Sequence, residues 1–351
     1  MSRVRSAGLV GGLVGLAATG AAVGLVGERY VVGRTRLRPD PDAGEAFFDQ
    51  AADRVRRVVA DDGLPLHVEE VGAPDAPLTV VFSHGYTQQL AVWHYQRKGL
   101  TSPGVRLVLW DQRSHGRSGR SAPEHETIDQ LGRDLRAVLD ATAPRGPVVL
   151  VGHSMGGMTI MALADQRPEL FGGRVVGVAL VSTSSGLLSD VTFGLPAALN
   201  TVSRRILPFL TKGVQRRPSV FEHGRRLGTD LAFVVARHLA FGSRDVSPAL
   251  VEFVEKMTAE CKVDVIAEFY ATFSSHDKLA ALDVLKAVET LVLVGSADVV
   301  TPESHSRAMA AALPDAQLVV VDGAGHMVAL ERPDVVNQQL RALLRRATGS
   351  A

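Results

Sequence analysis

Six short runs of apolar, largely β-branched residues punctuate the chain: Leu78–Phe82, Val105–Trp110, Val148–Val151, Val175–Val181, Leu291–Val294 and Gln317–Val321. They lack the alternation of a strand with one wet face, so each reads as a strand covered on both sides. Amphipathic stretches of helical period separate most of them. Strands alternating with helices predict a parallel sheet with helices on both faces. Upstream, Val55–Ala60 and Leu64–Val71, split by Asp61-Asp62-Gly63, predict a β-hairpin. Between Ser185 and about Ala287 the strand pattern stops. There Leu231–Phe241, Pro248–Cys261 and Val263–Phe273 carry helical spacing, which predicts a helical insertion after the sixth strand. The expected organisation is a core of residues 55–184 and 288–346, interrupted by a helical insertion of residues 185–287.

The N-terminus follows a different pattern. After Arg3 and Arg5, an uncharged run extends from Ser6 to Gly27, close to the ~20 residues a helix needs to span a bilayer. Residues 1–33 therefore read as a membrane anchor or signal-like segment. The run is long for a signal-peptide core and has no A-x-A site before Glu28-Arg29, which favours an uncleaved anchor over export through a signal peptide. Arg29, Arg34, Arg36 and Arg38 outnumber Arg3 and Arg5, so the positive-inside rule predicts that the C-terminal side, with the bulk of the protein, lies in the cytoplasm. Gly8-x-x-x-Gly12, Gly11-x-x-x-Gly15 and Gly20-x-x-x-Gly24 would let two anchors approach closely and self-associate, although low complexity alone produces the same spacing. Residues 34–54 form a basic linker containing Pro and Asp, with a short helix candidate, before a folded domain that begins near Arg54.

Composition narrows the partners. The 351 residues are 46% hydrophobic and 21% charged, enough to bury one large α/β unit with or without an insertion. Lys+Arg number 38 against 37 Asp+Glu, a net charge of +1, so no global field favours nucleic acid or an acidic substrate. The one cysteine, Cys261, excludes an intrachain disulfide and a Cys-rich zinc site, and reads as a packing residue. No G-x-x-x-x-G-K-[ST], no H-E-x-x-H and no G-x-G-x-x-G after a strand occurs. No cofactor and no metal are expected.

The chemistry concentrates at Gly152-His153-Ser154-Met155-Gly156, which follows the run Val148–Val151 and precedes a helix-like stretch, Met158–Gln166. Strand, sharp turn and helix make this pentapeptide a nucleophile elbow, with Ser154 as nucleophile. A serine projected from a strained turn brings the residues two before and two after it close together, and Gly152 and Gly156 leave that space open. An activated serine needs a base, the base an orienting acid, and the oxyanion two donors. Asp298 follows the strand Leu291–Val294, and His326 follows Val319-Val320-Val321. Both lie at strand carboxyl ends, where an open α/β sheet builds its site. Taken singly, Asp298 could cap a helix and His326 could be a surface-loop residue. One oxyanion donor is the amide of Met155. The other is the Tyr86 amide in Ser83-His84-Gly85-Tyr86, where Gly85 permits close approach and His84 braces the loop.

His84-Gly85, Asp111-Gln112-Arg113-Ser114-His115-Gly116-Arg117-Ser118, Gly152 to Gly157, the Asp298 loop and Gly325-His326 together resemble the α/β-hydrolase fold superfamily, over roughly residues 55 to 346. The chain order Ser, Asp, His is that of the family. The resemblance implies a three-layer α/β/α sandwich on an eight-stranded, mostly parallel sheet, with residues 185–287 as a cap over the pocket. It also implies that Asp111 and His115 brace the site without taking part in chemistry. Serine at the elbow argues against epoxide opening and halide displacement, for which relatives carry aspartate.

The expected activity is hydrolysis of a carboxylic ester of an apolar small molecule or lipid by a Ser154-Asp298-His326 triad through an acyl-enzyme. Carbon–carbon bond hydrolysis and cofactor-free perhydrolysis use a similar triad, and a hydrolase-like ligand receptor would use none. Leu187-Leu188, Phe193, Leu207 to Leu210, Phe233, Phe241, Phe253, Phe269-Tyr270 and Phe273 give the cap an apolar surface, most of it core. Arg204-Arg205 and Arg216-Arg217 are basic patches that could face a membrane, or simply solvent.

Overall fold

A computed structural model of the protein describes residues 39–186, 188, 237–243 and 245–349. Its strands are β1 (Arg54–Val59), β2 (Pro65–Val71), β3 (Leu78–Ser83), β4 (Val105–Trp110), β5 (Val148–His153), β6 (Val175–Val181), β7 (Glu289–Gly295) and β8 (Gln317–Val321). The described helices are α1 (His94–Leu100), α2 (Ile128–Thr142), α3 (Met155–Gln166), α4 (Pro248–Glu260), α5 (Val263–Ser274), α6 (Leu282–Leu285), α7 (Glu303–Ala312), α8 (Val328–Glu331) and α9 (Pro333–Ala347). The strands form one eight-stranded sheet in the order β1-β2-β4-β3-β5-β6-β7-β8. β1 and β2 form the expected hairpin, β2 runs antiparallel to β4, and the remaining pairs are parallel.

The continuous apolar runs are explained by two dry faces. Val80, Phe82, Leu107, Leu109, Val149 and Val151 pack in one cluster with residues of α1 and α9. The alternate residues Val81, Val108, Trp110 and Leu150 pack in a second cluster with α2 and α3. Since side chains alternate along a strand, an unbroken apolar run feeds both layers, and this makes the three-layer sandwich. At the edge, β1 leaves Val55 and Val59 exposed but carries Arg54 and Arg56, both paired with Glu70. Charge on an edge strand opposes pairing with a second sheet.

Three strands run further than their apolar residues. β3 continues to Ser83, β5 to His153 and β7 to Gly295, with Ser83 opposite Gly152 and Gly295 opposite Val321. The main-chain ladder needs no apolar side chain, so the hydrophobic run ends before the strand does. α3 likewise begins at Met155, three residues before the helix-like pattern, because Gly156-Gly157 disguises its first turn. β3 lies between β4 and β5, and the ligand crevice of an open α/β sheet forms at such a switch point.

The short helix expected within residues 34–54 is absent from the described part, where residues 41–44 and 47–48 form turns. Tertiary contacts occupy these side chains instead. Phe47 stacks on Phe253 of α4 with centroids 4.4 Å apart. Glu45 meets His94 Nε2 at 2.7 Å, and Asp42 accepts from the Tyr95 hydroxyl. Asp40 accepts from the Ser247 hydroxyl and, at 3.2 Å, from the Ala249 amide at the start of α4. Packing thus reaches back to Asp40, upstream of Arg54, and joins α1 of the core to α4 of the insertion. The anchor expectation for residues 1–33 lies outside the described residues. Among the described residues no helix is long and apolar enough to cross a membrane. Of the insertion, residues 189–236, with both arginine patches, are also outside; what is described between β6 and β7 includes α4, α5 and α6.

The loop after β4 is held by a buried ion pair. The Arg113 guanidinium is fully buried and donates from Nε and Nη2 to both oxygens of Asp134, each at 2.6 Å. Nη1 reaches Asp62 at 2.8 Å and the Ser121 hydroxyl at 2.9 Å. Removing one member of such a pair leaves an uncompensated buried charge, which costs about 3–5 kcal/mol. Arg113→Met is therefore expected to lower the urea unfolding free energy by about that amount, and adding Asp134→Leu to recover much of it. A loss from Arg113→Met of under about 1 kcal/mol would show that the pair does not hold the loop.

Candidate active site

Ser154 stands at the junction of β5 and α3 with φ 52° and ψ −118°, a conformation that costs an L-residue energy. The flanking glycines explain how the turn fits. A Cβ on Gly156 would lie 2.0 Å from the Ser83 carbonyl oxygen, and one on Gly152 2.4 Å from the Gly156 carbonyl oxygen. Hydrogen bonds lock the turn: the Ser154 amide donates to the Val181 carbonyl at 3.0 Å, and the Thr183 hydroxyl donates to the Ser154 carbonyl at 2.6 Å. Met155 is the first residue of α3, so no preceding turn supplies an acceptor for its N–H. The positive end of the helix dipole points at Ser154.

The loop after β3 meets this turn. A Cβ on Gly85 would lie 2.9 Å from His153 Nδ1. Buried His84 donates from Nδ1 to the Gly85 carbonyl at 2.7 Å and accepts the Gln112 amide at Nε2, 2.9 Å away. The Gln112 side chain donates to the His84 carbonyl at 2.6 Å and accepts from the Thr159 hydroxyl of α3 at 2.7 Å. Burial, then the neighbouring His115 and His153, push His84 well below the ordinary histidine range. His115 accepts the Thr87 amide at 3.2 Å and donates to the Arg113 carbonyl at 2.8 Å. Asp111 accepts the amides of Leu90 and Arg117, each at 2.8 Å. His84, Asp111 and His115 are thus engaged with backbone.

Asp298 and His326 come from the loops after β7 and β8. Asp298 Oδ1 accepts the amides of Val300 at 2.8 Å and Thr301 at 2.9 Å, while Oδ2 accepts His326 Nδ1–H at 2.9 Å and the Thr301 hydroxyl at 3.0 Å. One oxygen caps the loop, as an ordinary aspartate there would, and the other faces the imidazole. Burial opposes the charge of Asp298, but the facing His326 and the two amides outweigh it and hold the carboxyl below its usual value. With Nδ1–H donated, the basic nitrogen of His326 is Nε2. Three further residues set this arrangement. His153 donates from Nε2 to the His326 carbonyl at 2.9 Å, and the two rings lie 4.8 Å apart. Glu331 accepts the amides of Gly325 at 2.8 Å, Gly242 at 3.1 Å and Ser243 at 2.6 Å, tying the His326 loop to the segment of the insertion just ahead of α4. Thr301 completes the Asp298 shell. The Asp298-x-x-Thr301 spacing is a local capping signal that could have singled out Thr301, whereas His153 and Glu331 have no signal in the linear chain.

Ser154, Asp298 and His326 therefore sit at the carboxyl ends of β5, β7 and β8, with Tyr86 and Met155 at the neighbouring loop and helix start. Among the described residues, no three His, Cys, Asp or Glu side chains converge as a metal set. A cavity of about 220 Å³ lined by Phe47, Phe48, Glu69, Leu90, Arg97 and Arg117, among others, holds none of the three, and its carboxylate is already paired with Arg97 and Arg117.

A family model described as the alpha/beta hydrolase fold matches residues 79–333. RutD of Variovorax paradoxus, whose name carries a provisional assignment as a carbamate hydrolase, is 27% identical over 286 residues, covering 81% of this chain and 98% of that protein. The bifunctional esterase/perhydrolase DCH of Acinetobacter calcoaceticus is 24% identical, over 82% of this chain and 99% of its own. The solved structure of a thermophilic esterase from Thermogutta terrifontis superposes with a TM-score of 0.63 at 24% identity, covering 84% of this chain and 99% of that one.

The buried histidines make stability depend on pH. Burial holds His115 at about 4 and His153 at about 3, against 6.5 when unfolded. Below pH 6.5 the unfolded chain binds protons that the native chain refuses. Their contribution is complete above pH 6.5 and is lost as pH falls toward those lower values, at ~1.4 kcal/mol per pH unit for each residue. Urea midpoints measured from about pH 7.5 down to about pH 4.5 are expected to fall, and His115→Gln to reduce the slope by roughly one proton. An unchanged slope would assign the proton uptake to other groups.

Proposed function

The chain belongs to the α/β-hydrolase fold family and is a hydrolase, and from that premise we propose that it cleaves a carboxylic ester of an apolar small molecule or lipid through an acyl-enzyme on Ser154. In this mechanism His326 Nε2 takes the hydroxyl proton as Ser154 Oγ attacks the ester carbonyl. The amides of Met155 and Tyr86 receive the developing oxyanion. The proton passes from His326 to the departing alkoxide. Water, deprotonated by His326, then attacks the acyl group and frees Ser154. Asp298 fixes the imidazole tautomer throughout and stabilises the imidazolium.

The observation that carries this reading is the pairing of a strained Ser154, directly ahead of the first amide of α3, with an Asp298–His326 hydrogen bond of 2.9 Å at nearby strand ends. Partly buried Phe273 packs edge-on against Tyr86 with ring centroids 5.0 Å apart, which supports an apolar substrate group beside the proposed oxyanion donor. The likeness to an esterase/perhydrolase supports a second outcome at the same acyl-enzyme: attack by hydrogen peroxide in place of water, releasing a peracid.

A fluorophosphonate probe, which needs an activated serine but not the true substrate, is expected to label the wild type and neither Ser154→Ala nor His326→Ala. On p-nitrophenyl esters, Asp298→Asn is expected to lower kcat by about 10³–10⁴. A correctly folded wild type that resists the probe would end the acyl-enzyme reading. We also propose, from the uncharged run Ser6 to Gly27, that residues 1–33 hold the protein to a membrane. Deleting them is expected to move it from the membrane fraction to the soluble fraction with unchanged ester turnover. A truncated protein that fractionates like the full chain would refute the anchor.

A further inference from the structure

The loop that carries the proposed oxyanion donor is tied to the helical insertion by its own side chains. The Tyr86 hydroxyl donates to the main-chain carbonyl of Ile266 in α5. Thr87 places Oγ1 3.4 Å from the hydroxyl of Thr258 in α4, and Gln89 donates to Glu260 at the end of α4 at 2.8 Å. The Tyr86 ring stands edge-on to Phe273 of α5 at an interplanar angle of 77°. Burial raises the phenol well above its ordinary pKa, so it stays a donor through the neutral range.

The insertion side of these ties is anchored separately. Arg120, from the loop after β4, pairs with Glu268 and, at 3.4 Å, with Asp264, both on α5. The Thr272 hydroxyl of α5 accepts the Ile128 amide at the start of α2 at 3.3 Å. On the loop side, Thr87 has φ 60°, a conformation that an L-residue holds only when its surroundings enforce it. The loop therefore depends on its neighbours for its shape, and α5 is the neighbour bonded to the donor residue itself.

From this geometry, and resting on the acyl-enzyme reading, we propose that the Tyr86 phenol is a positioning group: its hydrogen bond to Ile266 aims the Tyr86 amide at the oxyanion, so the second donor is in place only when α5 is docked. Amide and phenol belong to one residue joined by a ring with few free torsions, so a displacement at the hydroxyl is passed to the backbone. Oxyanion stabilisation is sensitive to such a shift, since a misplacement of about 1 Å can cost about 10²-fold in rate. The insertion then contributes to catalysis as well as to substrate selection, because a substrate that prevents α5 from seating leaves the hole with the Met155 amide alone.

The test is Tyr86→Phe, which keeps the ring and its contact with Phe273 and deletes only the hydroxyl. On p-nitrophenyl acetate and butyrate, kcat is expected to fall about tenfold for both esters, with KM changed by less than about twofold. A trifluoromethyl ketone, which forms a tetrahedral adduct with an oxyanion, is expected to bind more weakly by the same factor as kcat/KM falls. Gln89→Ala, which removes a second tie without touching Tyr86, is expected to show a smaller loss of the same kind. A wild type labelled by the fluorophosphonate, with Tyr86→Phe unchanged in kcat and in ketone affinity, would overturn this inference and leave the acyl-enzyme reading standing. A loss confined to KM and larger for butyrate would also overturn it, since the phenol would then be a substrate contact. A wild type that resists the probe would defeat the acyl-enzyme reading itself.

Discussion

The close approach of the end of β3 to the start of α3 is the constraint on which the rest of the site depends. At Gly156 there is no room for even one carbon, because the Ser83 carbonyl oxygen occupies that space. This contact brings the loop carrying Tyr86 up to the turn carrying Ser154, and it is possible only because β3 and β5 are hydrogen-bonded neighbours with Ser83 opposite Gly152. The sheet's strand order is thus a condition of the proposed chemistry. Had β5 paired elsewhere, the same residues would not converge. The strain at Ser154 is borne by the surrounding ladder and by Thr183, in keeping with the rule that unusual backbone persists where its neighbours over-determine it.

Charge is distributed around the site by a consistent rule. His84, His115 and His153 are buried, bonded to backbone and pushed below the ordinary histidine range, so they act as neutral hydrogen-bonding braces at neutral pH. Asp298 is as deeply placed yet held charged, because it has an imidazole and two amides to face. A buried group keeps its charge only where partners replace the water it lost. The same distinction separates braces from the proposed acid and base more sharply than residue type does.

The insertion is joined to the core at several places with different functions. Residues 40–50 clip α4 to α1 through Asp40, Phe47 and Gln50. Glu331 ties the insertion segment just ahead of α4 to the His326 loop, and the Tyr86 side chain ties the loop of the proposed oxyanion donor to α5. Each of these ties ends on a residue beside the site or on a helix bonded to one. The insertion is therefore bonded both to the loop of His326 and to the loop of Tyr86.

The amino-acid sequence by itself determined the strands, their two-sided burial, the helical character of Pro248–Cys261 and Val263–Phe273, and the two glycines that a serine at a strand–helix turn requires. These are legible because burial is written into the chain at the period of each element, and because a sharp turn restricts residues within a few positions of itself. Tertiary structure alone decided that His153 would hold the His326 loop, that Glu331 would collect amides from two segments, that Thr301 would share Asp298 with His326, and that residues 40–50 would pack instead of forming a helix. His153 and His326 are 173 positions apart, and no local pattern records which distant carbonyl a buried imidazole will meet. Hydrophobic periodicity states how deeply a residue is buried, whereas its polar partner is chosen by strand order and by the loops that this order brings together.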